Sequence, residues 1–229
     1  MRIVALIPAA GQGRRMGGDI PKASLSLGGI PLLRHTLQKF EACPQVDEIL
    51  PLVPRQEVSF WTDEIRRPSK LKKVQRILAG GVERQDSVFL GLQALAGNAD
   101  WVIIHDGARP FVPPDLIERT LSATLRWKAA AAALPAGETI KEVSPEKEVL
   151  RTLDRGSLWI VQTPQSFEYS LIVGAHEKAR KERFRGTDDA SLVEKMGIPV
   201  RLIEGSRLNF KITTPEDLIL GEALLKYLK

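Results

Sequence analysis

Residues 3–22 read IVALIPAAGQGRRMGGDIPK, and the change of character within this stretch decides the fold class. Residues 3–7 form an apolar run rich in β-branched side chains, the pattern of a strand buried on both faces of a parallel sheet. Pro8, Ala9, Ala10, Gly11 and Gly13 follow, a small-residue loop. Backbone amides in such a loop can approach a ligand without interference from Cβ atoms. Arg14, Arg15 and Lys22 set three cations beside it. Donors and positive charge that converge on one place suit a polyphosphate, which carries several anionic oxygens; a purely structural turn is the other reading. The two common phosphate motifs do not apply. A dinucleotide fingerprint would need glycine at position 16, where Met16 stands, and no Lys-Ser or Lys-Thr pair follows the glycines as a P-loop requires.

With 229 residues and 43% hydrophobic content, the chain can bury a large core and fits one α/β domain, 1–229, with no room for a second catalytic domain. A net charge of +5 suits an anionic ligand, but the charges are dispersed and aromatic residues make up only 6%, so nucleic-acid binding is not indicated. The single cysteine, Cys43, excludes an internal disulfide framework and a cysteine-based zinc site. The N-terminus enters a strand without a signal peptide, and no apolar run approaches membrane-spanning length. These features read as a soluble, cytosolic protein with no membrane partner.

Further along, Pro31 fits a first helical position, with Leu33, Leu37 and Phe40 at helical spacing behind it. Residues 46–53 predict a strand, 56–66 an amphipathic helix stopped by Pro68, and 73–78 a third strand that ends in Gly80 and Gly81. The strand–glycine–helix pattern therefore recurs. Arg84 and Ser87 stand at the start of the next helix, which buries Val88, Leu92 and Leu95, so a second helix N-terminus can face the same ligand; a glycine turn with an N-cap is the plainer alternative. Residues 101–105 predict a central strand that terminates in Asp106, Gly107, Ala108, Arg109 and Pro110. In open parallel sheets ligands bind beyond the carboxyl ends of strands. There Asp106 suits magnesium or a hydroxyl and Arg109 a phosphate, unless the two merely pair with each other. His105 reads as packing.

Residues 115–127 predict a helix, and 128–134, KAAAAAL, a strand, because Pro135 and Gly137 close the run and the alternation calls for one. Residues 139–143 and 149–153 predict a hairpin around the charged segment 144–148, which has too little apolar area to stand alone. A partner chain could cover it. Residues 159–161 are expected to resume the core, Thr163, Pro164 and Gln165 to turn, and Ser166 to open a helix reaching Ala179, with His176 solvated at its middle. Asp188 and its neighbours cap a short helix, 200–203 predict a strand, and Thr214, Pro215 and Asp217 form a capping box for the last helix. Lys211, just before it, could turn inward.

Taken together in order, PAAGQGRRM, IPK, GGVERQDSV, HDGARPF, TIKEV, LDRGSLWIVQTPQSF, TDDAS and NFKITTPEDL resemble the 2-C-methyl-D-erythritol 4-phosphate cytidylyltransferases of the non-mevalonate isoprenoid pathway, over residues 4 to about 222. The resemblance implies an α/β, Rossmann-like nucleotidyltransferase fold: a mostly parallel twisted sheet flanked by helices, with a protruding β-arm, 136–155, through which the chain forms a homodimer. It implies transfer of CMP from CTP to the sugar-alcohol phosphate, with magnesium and release of pyrophosphate. By matching position, Arg15 and Lys22 stabilise charge at the α-phosphate; Ala9, Ala10, Gly11, Gly13, Gly80, Gly81, Ser87 and Asp106 contact the nucleotide; and Asp106 is the metal ligand. Arg155 and Lys211 position the attacking phosphate, while Asp106, Arg109, Thr139 and Thr163 contact the acceptor. Ala23, Val82, Gly107 and Leu208 depart from the family's usual residues. Ribitol 5-phosphate cytidylyltransferases share much of this motif set, and a nucleotide-binding module without turnover is a third reading.

Overall fold

The computed structural model describes residues 1–11, 22–66 and 71–228, apart from the side chains of Lys22 and Arg66. Strand and helix alternate from the first element: β1 (Ile3–Pro8), a small hairpin of β2 (Ser26–Leu27) and β3 (Ile30–Pro31), α1 (Leu32–Glu41), β4 (Glu48–Val53), α2 (Val58–Arg66), β5 (Leu78–Ala79), α3 (Arg84–Leu95) and β6 (Trp101–Ile104). The second half adds α4 (Pro114–Trp127), β7 (Ala129–Pro135), the arm strands β8 (Lys141–Val143) and β9 (Val149–Thr152), β10 (Trp159–Glu168), α5 (Tyr169–Lys181), α6 (Asp189–Glu194), β11 (Arg201–Glu204) and α7 (Pro215–Tyr227).

Among the described residues, seven strands form one sheet in the order β11-β7-β10-β6-β1-β4-β5. β1 pairs parallel with both β4 and β6, and β10 alone runs against its neighbours β6 and β7. Period-two alternation splits β1 between two cores: Ile3, Ala5 and Ile7 pack with side chains of α1 and α4, whereas Val4 and Leu6 pack with those of α3 and α5. The chain leaves β1 toward β4 and β5, then returns through α3 to β6 on the other side of β1. The strand order thus reverses between β1 and β6, where a cleft opens at the carboxyl ends of parallel strands.

The alanine-rich run is a strand. Ala129–Pro135 pairs on both sides, and its alanines are fully buried, so sheet position overrides their helix propensity. Other expectations change. The strand expected over 73–78 shortens to Leu78–Ala79, which pairs with β4; before it, the Lys73 carbonyl takes one bond from Ile49 N–H of β4 while the Lys73 amide goes to the Glu41 carboxylate. Trp159, Ile160 and Val161 are 40%, 57% and 41% exposed rather than core. Thr163, Pro164 and Gln165 lie within β10, where the register against β7 shifts, and Ser166 continues that strand opposite Ile103 and Ala130. The helix begins only at Tyr169. Pro31 precedes α1 instead of opening it, whereas Thr214 and Asp217 form the expected capping box of α7.

The charged hairpin consists of β8 paired antiparallel with β9, every residue of both strands exposed, and Arg151 pairs with Glu142 across it. Among the described residues no helix is long and apolar enough to cross a membrane.

Candidate active site

Three loops meet at the carboxyl ends of β1, β5 and β6. Glycine makes the approach possible: a Cβ on Gly80 would stand 2.4 Å from Ala10 Cβ and 2.8 Å from Ser87 Oγ, and one on Gly107 would stand 2.9 Å from Ala9 Cβ. At Gly107 the missing methyl lets the β6 loop sit against Ala9. Several of the backbone amides expected to face a ligand already have partners. Ala9 N–H donates to Leu52 O (2.8 Å), Gly80 N–H to Val53 O (2.8 Å) and Gly81 N–H to Ser87 Oγ (3.0 Å). The glycines therefore serve close packing as much as donation. Ser87, buried, also donates to Glu83 O, which leaves its hydroxyl one lone pair. Among the described residues, the Ala10 and Gly11 amides have no protein acceptor, so they can donate to a ligand. Gly13, Arg14 and Arg15 lie outside the described residues, as does the side chain of Lys22, which opens the turn Lys22–Ser24.

Asp106, placed just past β6, gathers three cations. Its Oδ1 accepts Arg84 Nε at 2.8 Å, and its Oδ2 lies 2.8 Å from Lys211 Nζ and 3.6 Å from Arg109 Nε. Burial alone would raise its pKa, yet Arg84, Lys211 and Arg109 together hold the carboxyl well below the usual value. Arg84 also donates to Asp189 Oδ2 at 2.7 Å. Desolvation works against its charge, but the two carboxylates overcome it and raise the guanidinium pKa. Asp189 in turn meets His176 Nε2 at 3.2 Å. His176 is fully buried, not solvated as its charged neighbours suggested, because α5 turns it inward against Phe89 and Asp189.

From the sequence Arg84 marks only the start of a helix, yet that position carries a signal. An arginine in the first turn of a helix opposes the positive end of the dipole and calls for carboxylate partners. Its partners lie 22 and 105 residues away along the chain.

Two cavities flank this cluster. The larger, about 800 Å³, is bounded by Ala9, Ala10, Gly11, Gly80, Gly81 and Ser87; the smaller, about 370 Å³, by Arg109, Gln162, Thr163 and Thr187. Arg84, Asp106 and Lys211 line both, so the cluster stands where the contents of the two would meet. Thr139 and Arg155 line neither among the described residues. Both are exposed, and Arg155 donates to Gly137 O (3.0 Å) at the base of the arm.

No group of three or more His, Cys, Asp or Glu side chains suited to a metal occurs among the described residues. Asp106 can offer one only the lone pairs that Arg84 and Lys211 leave. That fits magnesium, which takes few protein carboxylates and completes its shell with phosphate and water oxygens.

The family model for IspD, 2-C-methyl-D-erythritol 4-phosphate cytidylyltransferase, matches residues 3–227. The cytidylyltransferase of that name from Syntrophus aciditrophicus is 48% identical, covering 98% of this chain and 96% of its own. The one from Geobacter metallireducens is 47% identical, covering 99% and 98%. The crystal structure of the Thermus thermophilus cytidylyltransferase superposes with a TM-score of 0.81 at 38% identity, covering 99% of this chain and all of that one. That of 4-diphosphocytidyl-2C-methyl-D-erythritol synthase from Anaerococcus prevotii gives 0.87 at 32%, covering 98% and 96%.

Proposed function

The chain belongs to the 2-C-methyl-D-erythritol 4-phosphate cytidylyltransferase family, and from that premise we propose how its residues divide the work. The enzyme transfers CMP from CTP to 2-C-methyl-D-erythritol 4-phosphate in isoprenoid precursor biosynthesis. CTP occupies the larger cavity, its triphosphate held by the Ala10–Gly11 amides and by Arg15 and Lys22. The acceptor occupies the smaller one, its phosphate between Arg109 and Lys211. The observation that carries this reading is the Asp106 cluster: three cations gathered on one carboxylate at the junction of two cavities.

An oxygen of the acceptor phosphate attacks the α-phosphorus, and the bond to the β-phosphate oxygen breaks with release of pyrophosphate. The attacking group is already an anion, so no general base is needed. The protein must overcome repulsion between two polyanions and align them. Lys211 and Arg109 offset the charge of the incoming phosphate, and Asp106 keeps Lys211 and Arg84 extended toward the junction. Magnesium, when bound, neutralises triphosphate charge; Asp106 is the described residue that would contact it.

Thr139 and Arg155 act in the cleft of a second subunit. Their exposure and their absence from both cavities support this, as do the bare apolar side chains of the arm and the strand behind it, Val149 (60% exposed), Leu150 (62%) and Ile160 (57%). The chain would then work as a cytoplasmic homodimer.

Pyrophosphate release from CTP, measured with methylerythritol phosphate and with ribitol 5-phosphate, tests the reaction; turnover with only the latter would overturn the acceptor assignment. Sharing of the site is tested by mixing the inactive dimers Lys22→Ala and Arg155→Ala. After random subunit exchange half the dimers are mixed and each has one intact cleft, so activity should return to roughly a quarter of wild type. No recovery with mixed dimers present would place Arg155 in its own chain's site.

A further inference from the structure

His105, directly after β6, is fully buried, and nothing in the transfer chemistry above uses it. Both of its ring nitrogens are partnered: Nε2 lies 3.1 Å from Arg109 O, and Nδ1 3.1 Å from Thr163 Oγ1. A carbonyl oxygen only accepts, so Nε2 carries the proton. The ring is fully buried and both of its nitrogens face neutral oxygens, so it stays uncharged and Nδ1 keeps a bare lone pair. Thr163 Oγ1 must then give its only proton to Nδ1. The same oxygen accepts the Asp106 N–H at 3.1 Å. One lone pair of the hydroxyl is left, and Thr163 lines the smaller cavity.

We propose that His105 is a positioning residue that fixes Thr163 as a hydrogen-bond acceptor without a free proton, so that this wall of the smaller cavity reads a hydroxyl of the acceptor alcohol and rejects its phosphate. The inference rests on the functional reading above and adds an orientation. A phosphate oxygen facing Thr163 would set two acceptors against each other in a buried place. It therefore goes to Arg109 and Lys211, and a hydroxyl of the carbon chain points at Thr163. The bond from Nε2 to Arg109 O ties the same ring to the turn that carries Arg109 and Asp106, the carboxylate that pairs with Lys211, so one neutral histidine sets which end of the acceptor lies where.

Kinetics with methylerythritol phosphate and its singly deoxygenated analogues test the proposal in wild type and three variants. Wild type should lose about tenfold in kcat/KM with one analogue, the size of one hydrogen bond between neutral groups. Thr163→Val should erase that penalty while the KM for CTP stays within about twofold, because position 163 lines the smaller cavity and not the larger. The two histidine variants separate positioning from packing. His105→Asn puts an amide oxygen near the place of Nδ1 and should retain the penalty, whereas His105→Gln reaches toward Arg109 O, leaves the Thr163 hydroxyl free to rotate and should reduce it. A penalty that survives in folded Thr163→Val, a wild type indifferent to every analogue, or a folded His105→Gln enzyme that discriminates as wild type does would each overturn the proposal. If wild type releases no pyrophosphate with the complete acceptor, the functional reading itself has failed. Should neither histidine variant fold, the isosteric Thr163→Val against the deoxygenated analogues decides.

Discussion

Gly80→Ala adds one methyl at the tightest contact in the cleft. The new Cβ would lie 2.4 Å from Ala10 Cβ, whereas carbon atoms rest about 3.5–4.0 Å apart, so the two must separate by about 1.1 Å or more. Ala10 has no side-chain torsion through which to yield, so the backbone of the Ala9–Gly11 loop must retreat. Overpacking of this kind destabilises by about 1–3 kcal/mol. The functional effect should be larger than the stability effect suggests, because a displacement of about 1 Å in groups that align a substrate costs about a hundredfold in rate. Urea unfolding and pyrophosphate release with varied CTP measure the two quantities on the same preparation. Gly174→Ala, in α5 where an added Cβ meets nothing within 4 Å, is the matched control. It should stabilise by about 0.5–1 kcal/mol and leave kcat/KM alone. Adding Ala10→Gly to Gly80→Ala removes the 2.4 Å contact and leaves the approaches to Ser87, 2.8 Å to Oγ and 3.4 Å to Cβ, so most of the loss should return as a coupling of about 1 kcal/mol or more. Unchanged kcat/KM in Gly80→Ala, or a double variant no better than the single, would refute the argument that glycine is present for loop apposition.

Arg84→Met removes the cation shared by two buried carboxylates, Asp106 and Asp189, and should destabilise by about 3 kcal/mol in chemical denaturation as well as lowering kcat/KM; a variant as stable as wild type would mean that the bridge is dispensable. His105 should give stability a pH dependence. Its folded pKa of about 3 lies below the unfolded 6.5, so only the unfolded chain takes up a proton between those values; stability is then fully present above pH 6.5 and falls by about 1.4 kcal/mol per unit below it. Between pH 7.5 and 5 this amounts to about 2 kcal/mol, and the difference should vanish from urea midpoints of His105→Asn measured against wild type. Equal slopes in the two proteins would show that His105 is not held neutral. On the arm, Val149→Asp with Leu150→Asp should shift sedimentation from dimer to monomer and abolish turnover, while monomeric protein at full activity would refute a shared site.

What the sequence by itself determined is local and periodic. Ile3–Pro8 announces a doubly buried strand through its unbroken apolar run, the last helix announces its start through Thr214, Pro215 and Asp217, and the glycines at 80 and 81 mark the passage from strand to helix. The ordered motifs carry the family, and the exposed hairpin is visible because its strands have little apolar area to bury. Tertiary structure decided what depends on which groups face each other across the fold. Arg84 becomes part of the site only because Asp106 and Asp189 arrive at either side of it from distant segments, and His176 is buried although its sequence neighbours are charged. Ser166 stays in a strand because β6 and β7 offer it partners on both sides, which outweighs a helical pattern downstream. The amides of Ala9, Gly80 and Gly81 look available in a small-residue loop, yet strand ends and a serine hydroxyl engage them. Local sequence sets backbone preference and side-chain chemistry; desolvation, ion pairing and the partner of each hydrogen bond arise only once distant segments meet.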